Sequence, residues 1–184
     1  MKKILALLMA FTLLTLCLCG TAFADDKAEK VEADETEEAE KPYGPLFFIY
    51  KEFSFGILDE AEQVLEALGE ADDSFVSASC AYQGDDIIYY YDSLELSVNE
   101  IDGVLYITGI VIVDDMIQTP QGLTIGMDID EALALMEAIG NKELTMEEDR
   151  GVYSFRYGPA LLLIKSDADG EITAIQYWPS DAED

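Results

Sequence analysis

Between residues 74 and 178 most of the chain alternates apolar with polar side chains at a period of two, as half-buried strands do. Four such runs come first: Ser74–Tyr82, Asp86–Tyr91, Leu94–Asn99 and Val104–Val113. After a gap come four more: Glu143–Met146, Val152–Tyr157, Ala160–Lys165 and Glu171–Trp178. Two stretches keep a helical period instead. Ala61, Val64, Leu65 and Leu68 fall on one apolar stripe, as do Ala132, Leu135, Met136 and Ile139. Asp59 stands where it can cap the first helix, and Gly69 and Gly140 suit the positive-φ position that ends each. Asp128, Asp130 and Glu131 suit the positive end of the second helix's dipole. Asp102-Gly103 and Asp169-Gly170 predict tight turns between antiparallel strands, with Asp92-Ser93 and Gly158-Pro159 marking the turns before them.

The pattern occurs twice. Asp59–Gly69 aligns with Asp130–Gly140 at a spacing of 71, with six of eleven positions identical. Phe53–Ile57 matches Leu123–Met127 before it, and Tyr89–Leu96 corresponds loosely to Phe155–Leu163 after it. Each half then carries an Asp-Gly turn, Asp102-Gly103 and Asp169-Gly170, and four blocks in one order argue for a duplication, with repeats at about 46–115 and 116–178. The expected fold is α+β: a tandem repeat of one helix plus four antiparallel strands, giving a curved eight-stranded sheet with helices on one face.

The first 24 residues read as an address. Met1-Lys2-Lys3 is a cationic start, Ile4–Cys19 is apolar, and Ala22-x-Ala24 offers the small residues that signal peptidase needs. Cleavage after Ala24 makes the protein extracellular. The apolar run is shorter than the roughly 20 residues of a membrane span. The alternative is a cell-surface lipoprotein held by a lipid on Cys19, which would be the chain's only membrane contact; Leu18 stands where lipidation wants a small residue. Residues 25–41 hold nine acids, three lysines and one larger aliphatic residue, Val31, and so cannot bury enough surface to order themselves. They form an acidic disordered linker ahead of a single globular domain at 42–184.

The chain carries 39 acidic and 10 basic residues and no histidine, for a net charge of −29. The missing histidine excludes Ser-His-Asp and Cys-His catalysis and His-ligated zinc. The charge excludes nucleic acid as partner, since phosphate binding needs clustered Lys and Arg. Cleavage would leave Cys80 as the single thiol, in a stretch of small and apolar residues that predicts a buried core position.

A duplicated unit with the Asp-Glu-Ala…Glu-Ala-(Leu/Ile)-Gly helix of 59–69 and 130–140 resembles the β-lactamase-inhibitor-protein-like fold. The chain is also similar to uncharacterised exported proteins of Gram-positive gut anaerobes, through Ser79–Tyr82, the tyrosine strand after it, and Thr119-Pro120-Gln121-Gly122-Leu123-Thr124-Ile125-Gly126. The likeness covers roughly residues 46–178. It implies a curved sheet whose open face grips a partner protein, although this chain lacks the disulfides of those inhibitors.

Hairpin geometry sorts the strands. A two-residue loop at Asp92-Ser93 sets Tyr91 against Leu94 and Tyr89 against Leu96, on the helix side with Ile87 and Val98. Tyr90 then opposes Glu95, and Ile88 opposes Ser97, on the open side. The next turn sets Tyr106 against Asn99, on the open side with Thr108. In the second half Phe155 and Leu162 point inward, while Ser154, Arg156, Leu161, Leu163 and Trp178 point outward. Tyr90, Tyr106, Arg156 and Trp178 are therefore the expected partner-binding residues, of types enriched at interface hot spots. The alternative is that these rings only pair across strands.

Asp167-Ala168-Asp169-Gly170-Glu171 resembles the start of a calcium loop but lacks its later ligands, and a hairpin turn accounts for it. Carboxylate pairs are too numerous here to signal glycoside hydrolysis. We therefore expect no catalytic residue, no metal and no cofactor, and a protein, or alternatively a wall peptide, as partner. The expected function is an exported, non-catalytic binding domain. The alternatives are an envelope structural or assembly lipoprotein and, more remotely, a carboxylate hydrolase.

Overall fold

The computed structural model describes residues 41–80 and 83–180. The signal peptide, the acidic linker except Lys41, and Ala81-Tyr82 lie outside the described residues. The chain runs β1 (Phe48–Tyr50), β2 (Phe53–Phe55), α1 (Ala61–Leu68), β3 (Asp73–Ala78), β4 (Gln83–Tyr91), β5 (Leu94–Ile101) and β6 (Val104–Ile112). It continues α2 (Ile129–Ala138), β7 (Thr145–Asp149), β8 (Val152–Tyr157), β9 (Ala160–Ser166) and β10 (Ile172–Pro179). The architecture is α+β: an eight-stranded sheet of order β3-β4-β5-β6-β10-β9-β8-β7, antiparallel throughout, with two helices and a small β1–β2 hairpin.

The loops set the registers. Tyr91 pairs with Leu94, Tyr89 with Leu96 and Ile87 with Val98, as a two-residue loop at Asp92-Ser93 requires. Asp102 (φ 53°) and Gly103 (φ 84°) both take positive φ in the next turn, and Tyr106 faces Asn99. Phe155 pairs with Leu162 and Arg156 with Leu161 across the Gly158-Pro159 loop. That loop also receives both outer segments of the domain. Ser180 N donates to Pro159 O (2.7 Å), and Pro42 O lies 2.6 Å from where a Cβ on Gly158 would stand.

Alternate residues fall on one side of the sheet. Leu94, Leu96, Val98, Leu162, Ile164, Ile175 and Tyr177 are buried in the same core as Ala61, Val64 and Leu68 of α1 and Ala132 and Met136 of α2. Both helices thus cover one face of the sheet.

The β1–β2 hairpin was not legible in the sequence, and it closes this core. Phe48 packs edge-on against Phe55 (5.6 Å) and Tyr177 (5.8 Å). Its turn residues Lys51 and Glu52 both hold positive φ without glycine. The turn is held from outside instead: Lys51 Nζ donates to Leu68 O at the end of α1 and sits over the rings of Tyr50 and Tyr91.

Two expectations are corrected. Asp59 does not cap α1, whose N-cap is Glu60 with no side-chain bond. Asp59 instead accepts from Tyr43 Oη (2.9 Å), Gly56 N (3.1 Å) and Lys41 Nζ (3.2 Å), because the chain turns at Gly56 before the helix begins. In α2 Asp128 does cap, accepting from the Asp130 and Glu131 amides. Cys80 is exposed, not buried, because β3 ends at Ala78 and the thiol falls in the turn that follows.

Candidate functional site: the uncovered sheet face

On the face away from the helices, paired residues line up across all eight strands. One row runs Asp73, Tyr90, Glu95, Val111 and continues Gln176, Leu163, Ser154, Glu147. A second runs Phe75, Ile88, Ser97, Gly109 through the first four strands, and Trp178, Leu161, Arg156, Thr145 through the rest. A third joins Ser77, Asp86, Asn99 and Tyr106. All four expected binding residues lie on this face and are half-buried. Strands spaced about 4.8 Å apart put Trp178 on β10 roughly 10 Å from Arg156 on β8 and about 15 Å from Tyr90 on β4. They share a face but form no single cluster.

Trp178 is seated by two residues that sequence reasoning passed over. A Cβ built on Gly109 would lie 2.6 Å from Trp178 Cζ3 and 3.0 Å from Ser97 Cβ, so the indole lies over bare backbone. Its Nε1 donates to Gln176 Oε1 (3.2 Å). Arg156 Nη1 donates to Ser180 Oγ (3.3 Å).

A β-bulge explains how Tyr106 and Thr108 share this side while Ile107 and Ile110 both enter the core. Ser97 pairs with Gly109 and Val98 with Ile107, so Thr108 is the extra residue. Thr108 Oγ1 donates to Asn99 Oδ1, and Asn99 Nδ2 donates to Asp86. This chain of bonds satisfies two buried polar residues, Asn99 and Thr108, at the lower end of the face. Glycine inside a strand is the usual sign of such a bulge or of a close approach, and Gly109 serves both.

Shifted titrations lie elsewhere. Burial pushes the Tyr177 phenol far up. Burial, the hydrogen bond to Asp59 and that carboxylate's charge do the same to Tyr43. Tyr50 and Tyr91 are raised by burial first and by neighbouring groups, including the Asp72 carboxylate, second. Tyr43, Tyr91 and Tyr177 are buried in the core and Tyr50 packs against it. The acidic turn at Asp167 is likewise structural: its Oδ1 accepts from the Asp169 and Glu171 amides. Among the described residues no helix is long and apolar enough to cross a membrane, and no three Asp, Glu or Cys side chains are grouped to hold a metal ion.

No family model matches the chain, and no curated protein matches it. Among solved structures, an extracellular protein containing an SCP domain, from Bacillus anthracis strain Ames, is similar at 11% identity and a TM-score of 0.44. The match covers 67% of this chain and 44% of that one, so the chain spans less than half the length of the protein it resembles.

Proposed function

We propose that this is an exported, non-catalytic binding domain that recognises a partner protein through the uncovered sheet face. The observation that carries this reading is Trp178, a large ring set on Gly109 in the middle of that face and flanked by Leu161 and, beyond it, Arg156. Aromatic rings and arginine over a rigid sheet are good anchors, because little side-chain freedom is lost when they are covered.

The domain is best read as two copies of one helix-plus-four-strand unit, in the manner of the β-lactamase-inhibitor-protein-like fold. Three observations support this. The strand order is mirrored about the β6–β10 pair. The residue before α1 bridges to the fourth strand of its half, Glu60 to Tyr106, and the residue before α2 bridges to the residue just ahead of the fourth strand of its own, Asp128 to Glu171. Main-chain bonds flank both bridges, from Leu58 N to Ile107 O and from Ile129 N to Gly170 O.

Export rests on the leader-like residues 1–24. The mass of the secreted form tests it: an N-terminus at Asp25 supports a free protein, and a lipid on Cys19 supports the envelope lipoprotein. Capture from culture fluid on immobilised processed protein tests the binding face. A Trp178→Ala bait and a Tyr90→Ala/Tyr106→Ala bait should each retain at least roughly tenfold less of whatever the native bait retains specifically. Equal recovery on all three baits would remove the face from consideration.

A further inference from the structure

The sheet ends in two unlike edges. β7 carries three consecutive acids, Glu147, Glu148 and Asp149, which discourage a further strand. β3 reads Asp-Ser-Phe-Val-Ser-Ala, with Phe75 and Val76 each 54% exposed, and pairs with β4 over all six residues without a bulge. Past Asp73 it has no charge, proline or kink of the kind that protects natural edges.

The outer main-chain groups of β3 can be located. Ser79 N donates to Gly84 O, so by alternation the amides of Val76 and Ala78 point away from β4. The two-residue loop after Tyr91 agrees. It turns the Tyr91 and Tyr89 amides toward β5, and those of Tyr90 and Ile88 toward Asp73 and Phe75. The Ser74 amide, also on the outer side, is taken up by the Asp73 carboxylate (2.8 Å).

On the helix side, a recess of about 420 Å³ opens beside β3, lined by Leu65, Glu70, Ala71, Ser74, Tyr89 and Tyr91. Lys51 Nζ already sits over the Tyr91 ring, but Leu65 and Tyr89 with the Glu70 and Asp73 carboxylates suit the long stem and charged head of a further Lys or Arg. On the other side Phe75 prolongs the row that holds Ile88 and Ser97. Glu70, Asp72 and Asp73 make the surroundings acidic. That opposes both the linker, with its nine acids, and a second copy of a chain whose net charge is −29.

We propose that the free edge of β3 takes up an extended segment of another protein by strand addition, bonding to the Val76 and Ala78 amides. That segment alternates basic residues, one of which enters the recess below α1, with apolar residues that pack beside Phe75. This edge meets the uncovered face only at Phe75, four strands and roughly 19 Å from Trp178, so the two surfaces can be tested apart.

The test uses the processed protein labelled with ¹⁵N and two blocked eight-residue peptides, one alternating lysine with valine, the other glutamate with valine. The expected result is amide shifts confined to β3 and the recess, with a Kd tighter than about 1 mM for the lysine peptide. The glutamate peptide should bind at least roughly tenfold more weakly. Val76→Pro and Ala78→Pro each delete an outward amide that no sheet bond uses, so both should keep the β4–β6 amide spectrum and abolish the shifts. Trp178→Ala should leave them unchanged. Equal binding of both peptides, no shifts on β3, or shifts that survive both proline variants would overturn the proposal. So would β3 shifts that grow with protein concentration alone, which would make the occupant a second copy.

Discussion

Trp178 keeps its place because residue 109 has no side chain. Gly109→Ala would drive a methyl group into a rigid indole and against Ser97 at once. The expected cost is about 1–3 kcal/mol in urea denaturation, with a red shift of Trp178 emission as the ring lifts into water. The buried tyrosines make a second prediction at this scale. Tyrosines of the unfolded chain ionise near pH 10, whereas Tyr43 and Tyr177 hold their protons to higher pH in the fold. The folded state therefore binds more protons above that pH, and stability, complete below it, falls as pH rises. Urea midpoints should agree from about pH 7 to about pH 9 and drop by about pH 11, with two phenols missing from the tyrosinate absorbance until unfolding.

The helices differ at their starts, and the difference can be measured. Asp128 accepts two amides at the head of α2, so Asp128→Ala should cost about 1 kcal/mol. α1 begins at Glu60 in an extended conformation with no capping bond, so Glu60→Asp should add roughly 0.5–1 kcal/mol at unchanged charge. Thermal melts of the two variants should move in opposite directions. The elements themselves were largely legible in the sequence, because strands joined by two-residue loops have little freedom of register. Asp92-Ser93 and Gly158-Pro159 settle which side Tyr90 and Arg156 face. The misses share a physical origin in tertiary contacts that leave no local pattern. The turn at Lys51-Glu52 lacks the glycine or asparagine that would announce it, and is held by Leu68 O and two rings. Asp59 has the sequence position of a cap, but its partners Tyr43 and Lys41 lie 16 and 18 residues away. The socket under Trp178 depends on a register between β6 and β10 that no single turn dictates.

Across the whole molecule, the two halves meet in the sheet through a short ladder, Ile110–Ile112 against Ile175–Tyr177, and through the shared core. Charge does not join them. From Pro42 onward the chain holds 30 acids and five bases. Among the described residues the ion pairs are Lys41–Asp59 and the exposed chain neighbours Asp149–Arg150, each 3.2 Å long and each within one half. Excess carboxylates repel one another, so the junction is held by that ladder and by apolar burial. Ile175 is fully buried between Ile112 and Ile164, and Ile175→Ala should cost about 2–5 kcal/mol. The exposed edge change Met146→Ala should cost less than about 0.5 kcal/mol. With both halves resting on that one core, Trp178 fluorescence and far-ultraviolet dichroism should report a single coincident transition in both variants.

The Gly158-Pro159 loop gathers the first and last described segments at one pole, so the domain is in effect a closed ring with a gap there. A short flexible splice from Ser180 back to Lys41, with new termini cut at the solvent-exposed Asp102-Gly103 tip, should give a circular permutant that folds to the same sheet. Matching amide spectra of the native and permuted chains would show it.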